Sequence, residues 1–202
     1  MQREYSFHDP YEISPNSLLI RAFLNFPMPA TCVWDIGTGC GKVLIESYFR
    51  YPGAVLIGFD PDERAHAHLK LNMQRHGLDK DAIQLIPHLV QDANLSALQR
   101  PDAIYLGCSG DTSDETLAGL WEALKPGGVI TGSVGHRLGA DNPEYRAKMD
   151  RLYVWQKQYG GVCNEYTTSI ALTDSQRRML PSGGHYPNLQ FERVEWIGKK
   201  PA

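Results

Sequence analysis

From residue 31 onward, short apolar runs alternate with stretches whose apolar positions recur at helical spacing. Residues 31–36 form a β-prone run that stops at glycines, and residues 42–49 resume with a helical pattern. Residues 54–59 read as a second buried strand. A polar helix then starts at Pro61 and runs to His76, ending at Gly77, a residue type that suits the position after a helix C-terminus. Strands three and four are expected at 83–87 and 103–106, a helix at 114–124 that stops at Lys125-Pro-Gly-Gly128, and strand five at 129–134. A helix over 143–159 ends at Gly160-Gly161, and two more β-prone runs, 166–172 and 191–197, are joined only by the loop 173–190. Ahead of all this, Ser14-Pro15 can cap and open a helix through Leu18, Leu19, Ala22 and Phe23, ended by Pro27 and Pro29.

Alternating β and α segments predict an α/β fold: a doubly wound, mostly parallel, seven-stranded sheet with helices on both faces. The last two strands have no helix between them and are expected as an antiparallel hairpin at the sheet edge. The pattern predicts one domain over 1–202, a helical lead-in over 1–30 and a Rossmann-like core over 31–202.

Composition narrows the setting. Hydrophobic residues make up 42% and charged residues 21%, as in ordinary soluble globular chains. A formal charge of −3 offers no global attraction for nucleic acid. Cys32, Cys40, Cys108 and Cys163 form no CxxC pair and no zinc spacing, so they read as reduced thiols in a cytoplasmic protein. The first residues lack an apolar signal core, and no stretch approaches the length needed to span a bilayer; neither secretion nor a membrane is expected.

The chemistry centres on Asp35-Ile-Gly-Thr-Gly-Cys-Gly41, between strand one and the following helix. Alternating glycines let the backbone turn sharply and let a ligand approach without β-carbons in the way. A dinucleotide loop, GxGxxG, would place its third glycine at position 42, which is Lys42 here. The second strand ends in Gly58-Phe-Asp60, where a carboxylate can accept hydrogen bonds from two ribose hydroxyls or, alternatively, cap the next helix. His66, His68 and His76 lie on a polar helix with no second ligand cluster, so no metal site is expected.

The DxGxGxG spacing, Asp60 and the Lys-Pro-Gly-Gly turn resemble the class I S-adenosylmethionine-dependent methyltransferases. Within them, Ile13-Ser-Pro-Asn16, Trp34-Asp-Ile-Gly37, Asn72-Met-Gln-Arg-His-Gly-Leu78, Gly107-Cys-Ser-Gly110, Leu124-Lys-Pro-Gly-Gly128 and Val194-Glu-Trp-Ile-Gly-Lys-Lys-Pro201 resemble the decarboxylating precorrin-6B carbon-15 methyltransferases of cobalamin biosynthesis. The resemblance implies methylation of carbon 15 of a precorrin or cobalt-precorrin tetrapyrrole, with loss of carbon dioxide from the ring C acetate. S-adenosylmethionine would be the cofactor and S-adenosylhomocysteine the product. Asp35 is implied for the methionine ammonium, directly or through water, and Gly37, Thr38, Gly39, Gly41, Asp60, Leu89 and Gly107 for the rest of the cofactor. A carbon-5 precorrin methyltransferase is implied as partner, since 202 residues leave no room for that domain, and a homotetramer as assembly.

A substrate with many carboxylates calls for cations at the pocket mouth. His136 and Arg137, following strand five, are the best placed catalytic and substrate-binding candidates; Arg177, Arg178 and His185 occupy the last loop. Ser109 is assigned to substrate through close backbone approach of the Gly107-Cys-Ser-Gly110 turn, because no His and Asp pair can be matched to it or to Cys108 as a nucleophile.

Two stretches depart from the family. Gly135-His-Arg-Leu138 replaces a small-residue and Thr-Leu-Glu-like stretch, and His88-Leu-Val-Gln-Asp92 carries an apparent one-residue insertion. The adenine contact falls on Leu89, or on Asp92 if the insertion lies earlier. The alternative functions are a methyltransferase of another small molecule or of RNA, or a cofactor-binding module without turnover. The lack of an Asn/Asp-Pro-Pro-Tyr motif after strand four disfavours nucleobase amines.

Overall fold

The computed structural model describes residues 29–107, 111–137, 143–171 and 188–202, with the backbone alone over 135–137, 145, 166, 168–171 and 188–193. In chain order the elements are β1 (Cys32–Ile36), α1 (Lys42–Arg50), β2 (Val55–Phe59), α2 (Glu63–Arg75), β3 (Gln84–Ile86), two 3-10 turns (Val90–Asp92 and Leu95–Ala97), β4 (Ala103–Leu106), α3 (Asp114–Ala123), β5 (Val129–Arg137), α4 (Pro143–Tyr159), β6 (Val162–Ala171) and β7 (Asn188–Lys199). The helix expected over 14–23 and most of the lead-in lie outside the described residues.

The seven strands form one sheet in the order β3-β2-β1-β4-β5-β7-β6. The first five are parallel, whereas β7 runs antiparallel to both β5 and β6. The expected doubly wound sheet with its antiparallel edge pair is therefore present. Strand order reverses between β1 and β4, and ligands of open α/β sheets bind at the carboxyl ends beside such a reversal.

Both faces are covered. On β1, Trp34 and Ile36 point into a cluster with Ile57, Phe59, Ile104, Leu106, Leu117, Leu120, Trp155 and Trp196, which gathers α3 and α4. Val33, on the opposite face, joins Leu44, Ile45, Leu56, Leu69, Met73 and Tyr105 beneath α1 and α2. Burial on two sides explains why β4 reads as a continuous apolar run, and β1 as one broken only by Asp35, rather than as alternating strands.

The bounds of two strands differ from expectation. β5 continues to Arg137, past the expected end at 134, and β6 begins at Val162 rather than 166. Gly132, Ser133 and Gly135 are weak strand formers, but β5 is held by β7 across its whole length, from Val129↔Lys199 to Arg137↔Phe191. Ladder pairing overrides local propensity here.

Helix starts also follow local chemistry. Asp62 caps α2, its Oδ1 accepting the Arg64 N–H at 2.9 Å, and Ser113 caps α3, its Oγ accepting the Thr116 N–H at 3.1 Å. At the other end of the sheet, Asp102 Oδ2 accepts from Thr31 N (2.7 Å), Thr31 Oγ1 (2.8 Å) and Cys32 N (2.9 Å) and lies 3.0 Å from Lys125 Nζ. Burial acts to raise the Asp102 pKa, but Lys125 and Thr31 outweigh it and hold the carboxyl below its ordinary value.

Candidate active site

The loop from β1 to α1 lies beside the reversal point. Gly37, Gly39 and Gly41 all adopt positive φ, at 75°, 51° and 80°. Those angles fold the loop back on the sheet: Gly37 N and Thr38 N both donate to the Phe59 carbonyl, at 2.8 and 3.1 Å, and Gly41 N donates to Thr38 O at 2.9 Å. Asp35 is only 2% exposed, and its Oδ2 accepts the Thr38 hydroxyl at 2.8 Å. Its observed work is to fix the loop from behind.

The glycines serve different ends. A β-carbon on Gly41 would stand 2.0 Å from Leu69 Cδ1, so Gly41 lets α1 pack against α2 as well as turning the chain. One on Gly107 would stand 2.7 Å from the Gly37 carbonyl oxygen, while Gly107 N donates to Ile36 O at 2.8 Å. The end of β4 thus presses directly on the glycine loop. Gly58 leaves space for the Thr38 side chain, whose Oγ1 would lie 3.0 Å from an added β-carbon. The sequence places Gly58 at the end of strand two but assigns it no role, although a glycine inside a strand signals such close approach.

Asp60, at the end of β2, is 8% exposed. Its Oδ2 accepts the Gly39 N–H at 2.8 Å and its Oδ1 the Asp62 N–H at 2.9 Å. Helix capping falls to Asp62, so the capping alternative for Asp60 is excluded. Each carboxylate oxygen retains a second lone-pair direction for a further donor.

A cavity of about 450 Å3 opens over these residues, lined by Gly37, Asp60, Pro61, His88, Leu89 and Thr112 among others. That volume lies within the range of small-molecule sites. A second recess of about 370 Å3 shares Val90, Gln91 and Thr116 with it. Leu89 precedes the first 3-10 turn and is 46% exposed, an apolar side chain on the cavity wall. Of the two residues left open for the adenine contact, Leu89 is the one on that wall.

The opposite wall follows β4 and is held by α4. Lys148 Nζ lies 3.0 Å from Asp111 Oδ1, Arg151 Nη1 donates to Thr112 O at 3.1 Å, and Trp155 Nε1 donates to Asp114 Oδ1 at 3.1 Å. These three residues recur at helical spacing along one side of α4. The sequence reading did not find this tether, which joins segments far apart in the chain.

The structure brings together Gly37, Asp60 and Leu89 at the cavity, with Asp35, Thr38, Gly39 and Gly107 immediately supporting them. Ser109 lies outside the described residues, as do Arg177, Arg178 and His185. His136 and Arg137 do not follow strand five; they are its last residues, with Glu192 and Phe191 as Cα partners on β7. The apolar pattern ends the strand at 134, and pairing with β7 carries it on to Arg137. The side chains of the pair lie outside the described set.

Burial pushes the Cys32 and Cys163 thiols up to about 11, so neither is a thiolate nucleophile near neutrality. Among the described residues there is no His/Cys/Asp/Glu group able to hold a metal, and no helix long and apolar enough to cross a membrane.

Comparison with known proteins bears on this geometry. Residues 20–173 match the family model described as precorrin methyltransferase domain. A precorrin-6Y C(5,15)-methyltransferase [decarboxylating] of Mycobacterium tuberculosis is 29% identical over 104 residues, 52% of this chain and 25% of that protein. The chain thus spans about a quarter of the length of that relative. The C-terminal domain of precorrin-6Y C5,15-methyltransferase from Rhodobacter capsulatus superposes with a TM-score of 0.70 at 20% identity, covering 97% of this chain and 94% of that one. An O-methyltransferase from Bacillus cereus, solved in complex with S-adenosylhomocysteine, gives a TM-score of 0.60 at 15% identity, covering 95% and 84%. These likenesses place the fold among the class I methyltransferases, and the family match, over more than half of its length, establishes that the chain belongs to the precorrin methyltransferase domain family.

Proposed function

We propose that the chain is an S-adenosylmethionine-dependent methyltransferase domain of corrin synthesis, methylating carbon 15 of a precorrin-type tetrapyrrole with decarboxylation of the ring C acetate. The observation that carries this reading is the cavity at the strand-order reversal, where Gly37, Asp60 and Leu89 meet. The residues fit the cofactor: positive-φ glycines leave backbone open to close approach, a buried carboxylate offers acceptors for a ribose diol, and Leu89 offers apolar surface to a base.

When bound, S-adenosylmethionine supplies a sulfonium methyl that an electron-rich ring carbon can attack. The protein's task is then mainly alignment and exclusion of water. Asp60 would take the ribose hydroxyls on its remaining lone pairs, Leu89 would offer its apolar side chain to the adenine, and Gly37, Gly39 and Gly107 would leave room for the methionine end. Asp35, its carboxylate held by the Thr38 hydroxyl, would supply the negative charge that favours the ammonium. Gly41 contributes by setting α1 against α2. His136 and Arg137, at the carboxyl end of β5, would hold a substrate carboxylate, and the turn carrying Ser109 would give substrate close approach to backbone. A homotetramer, a carbon-5 methyltransferase partner and a cytoplasmic setting belong to the same proposal.

Calorimetry tests it. S-adenosylhomocysteine binds with micromolar or tighter affinity, NAD does not compete, and a reduced tetrapyrrole is methylated with release of carbon dioxide. Tight NAD binding without response to S-adenosylhomocysteine overturns the cofactor; binding without turnover reduces the chain to a cofactor-binding module.

A further inference from the structure

The ladder between β2 and β3 ends at Asp60, whose N–H donates to the Ile86 carbonyl at 3.2 Å. The Asp60 carbonyl is the first acceptor beyond that ladder, and Nε2 of His66 meets it at 2.6 Å. We infer that His66 is a positioning residue for the ribose subsite: its ring fixes the Asp60 peptide and thereby aims the Asp60 carboxylate. The inference rests on the cofactor reading above and assigns a role to a histidine that reaches the cofactor only through Asp60.

A carbonyl oxygen only accepts, so the ring nitrogen at this distance carries the hydrogen. His66 belongs to the first turn of α2, where its own N–H donates to the Asp62 carbonyl at 3.2 Å. The ring reaches back across the connection Asp60-Pro61-Asp62 to the end of the strand. Pro61 has no N–H with which to anchor that connection. Among the described residues, the other bonds on Asp60 involve backbone groups: Gly39 N and Asp62 N on the carboxylate, and Ile86 O on the amide. Of these partners, Gly39 belongs to the glycine loop and Asp62 is the cap of α2, and both bond the carboxylate rather than the Asp60 carbonyl. The ring adds a bond from the Asp60 carbonyl itself to a residue inside α2. Without it the peptide after Asp60 can rotate, and the carboxylate turns with it.

The test compares two ligands on three proteins by calorimetry. The ligands are S-adenosylhomocysteine and its 2′,3′-dideoxy analogue, which lacks the ribose hydroxyls. His66→Phe keeps a ring without a donor, and His66→Gln restores an N–H near the Nε2 position. S-adenosylhomocysteine is expected to bind His66→Phe about five- to tenfold more weakly than wild type, the loss of one hydrogen bond. His66→Gln returns to within about twofold, and the dideoxy analogue binds all three proteins alike. Thermal unfolding of the ligand-free proteins is the fold control, with His66→Ala as a second donor-free variant should phenylalanine not be accommodated. Equal weakening on both ligands, failure of glutamine to rescue, or no weakening in a folded donor-free variant overturns the inference alone. Wild type that ignores S-adenosylhomocysteine overturns the cofactor reading as well.

Discussion

The two walls of the cavity are built differently. The floor, at the ends of β1, β2 and β4, is fixed by backbone bonds from Gly37 and Thr38 to Phe59 and from Gly107 to Ile36, and by the buried Asp60 carboxylate on Gly39 N. The opposite wall, from Asp111 to Asp114, is held by side chains reaching out from α4, and its Lys148–Asp111 pair is partly solvated, with the Asp111 side chain 74% exposed. Backbone contacts in a buried loop leave no slack, whereas long side chains at a solvated edge can re-form. The floor should therefore tolerate almost no substitution and the wall a good deal.

Gly107→Ala attacks the floor hardest. The new β-carbon would meet the Gly37 carbonyl at 2.7 Å and the Ile36 carbonyl at 3.2 Å, both backbone atoms that cannot swing aside. Stability should fall by about 2–3 kcal/mol from overpacking, and turnover by about a hundredfold if the loop shifts by an ångström. Denaturant melts and steady-state kinetics measure both; an alanine variant with wild-type values shows that the floor has slack after all.

Asp60→Asn comes next. The amide replaces one carboxylate oxygen with a donor, so it can no longer accept from both Gly39 N and Asp62 N while serving a ribose. Losing a hydrogen bond to a charged group costs about 2 kcal/mol, roughly thirtyfold in S-adenosylhomocysteine affinity. Calorimetry reads this directly, and unchanged affinity removes Asp60 from the ribose site.

The same contrast explains what was legible in the sequence. The floor is built from pieces that carry their own local signature, three alternating glycines after β1 and an acid at the end of β2, although the contact of Gly107 with Ile36 joins distant parts of the chain. The wall depends on Lys148, Arg151 and Trp155 meeting residues about forty positions earlier, and helical periodicity does not say which partner a face meets. The end of β5 was misplaced for a related reason: the pairing that carries it to Arg137 comes from β7, far along the chain. The sequence excludes a metal site at His66 but assigns it no role, because its bond is to a backbone carbonyl, a group no side-chain pattern reveals.

On the wall, Arg151→Ala removes the donor to the Thr112 carbonyl. Thr112 is 5% exposed and lines the cavity, so the carbonyl loses a partner in a place water reaches poorly. A loss of about 1 kcal/mol, roughly fivefold in S-adenosylhomocysteine affinity, is expected. A loss as large as that of Asp60→Asn would make the wall as exacting as the floor.

Lys148→Ala should have the smallest effect. Lys148 lies 2.8 Å from Glu144 and 3.0 Å from Asp111, and both acidic side chains are mostly exposed. Exposed pairs of this kind contribute about 0.5 kcal/mol or less, and salt screens them. Hydrogen bonds to Glu144 and then to Asp111 raise the lysine pKa above its ordinary value. Because the folded pKa is the raised one, the contribution is complete below the unfolded pKa of about 10.4 and is lost as pH climbs through the folded value. The difference in melting temperature between wild type and Lys148→Ala should thus be small and constant from neutrality to about pH 9, shrinking only in stronger alkali. It should also shrink in molar salt at neutral pH. A difference that persists in both conditions would mean that Lys148 acts through packing of its stem against the wall rather than through its charge.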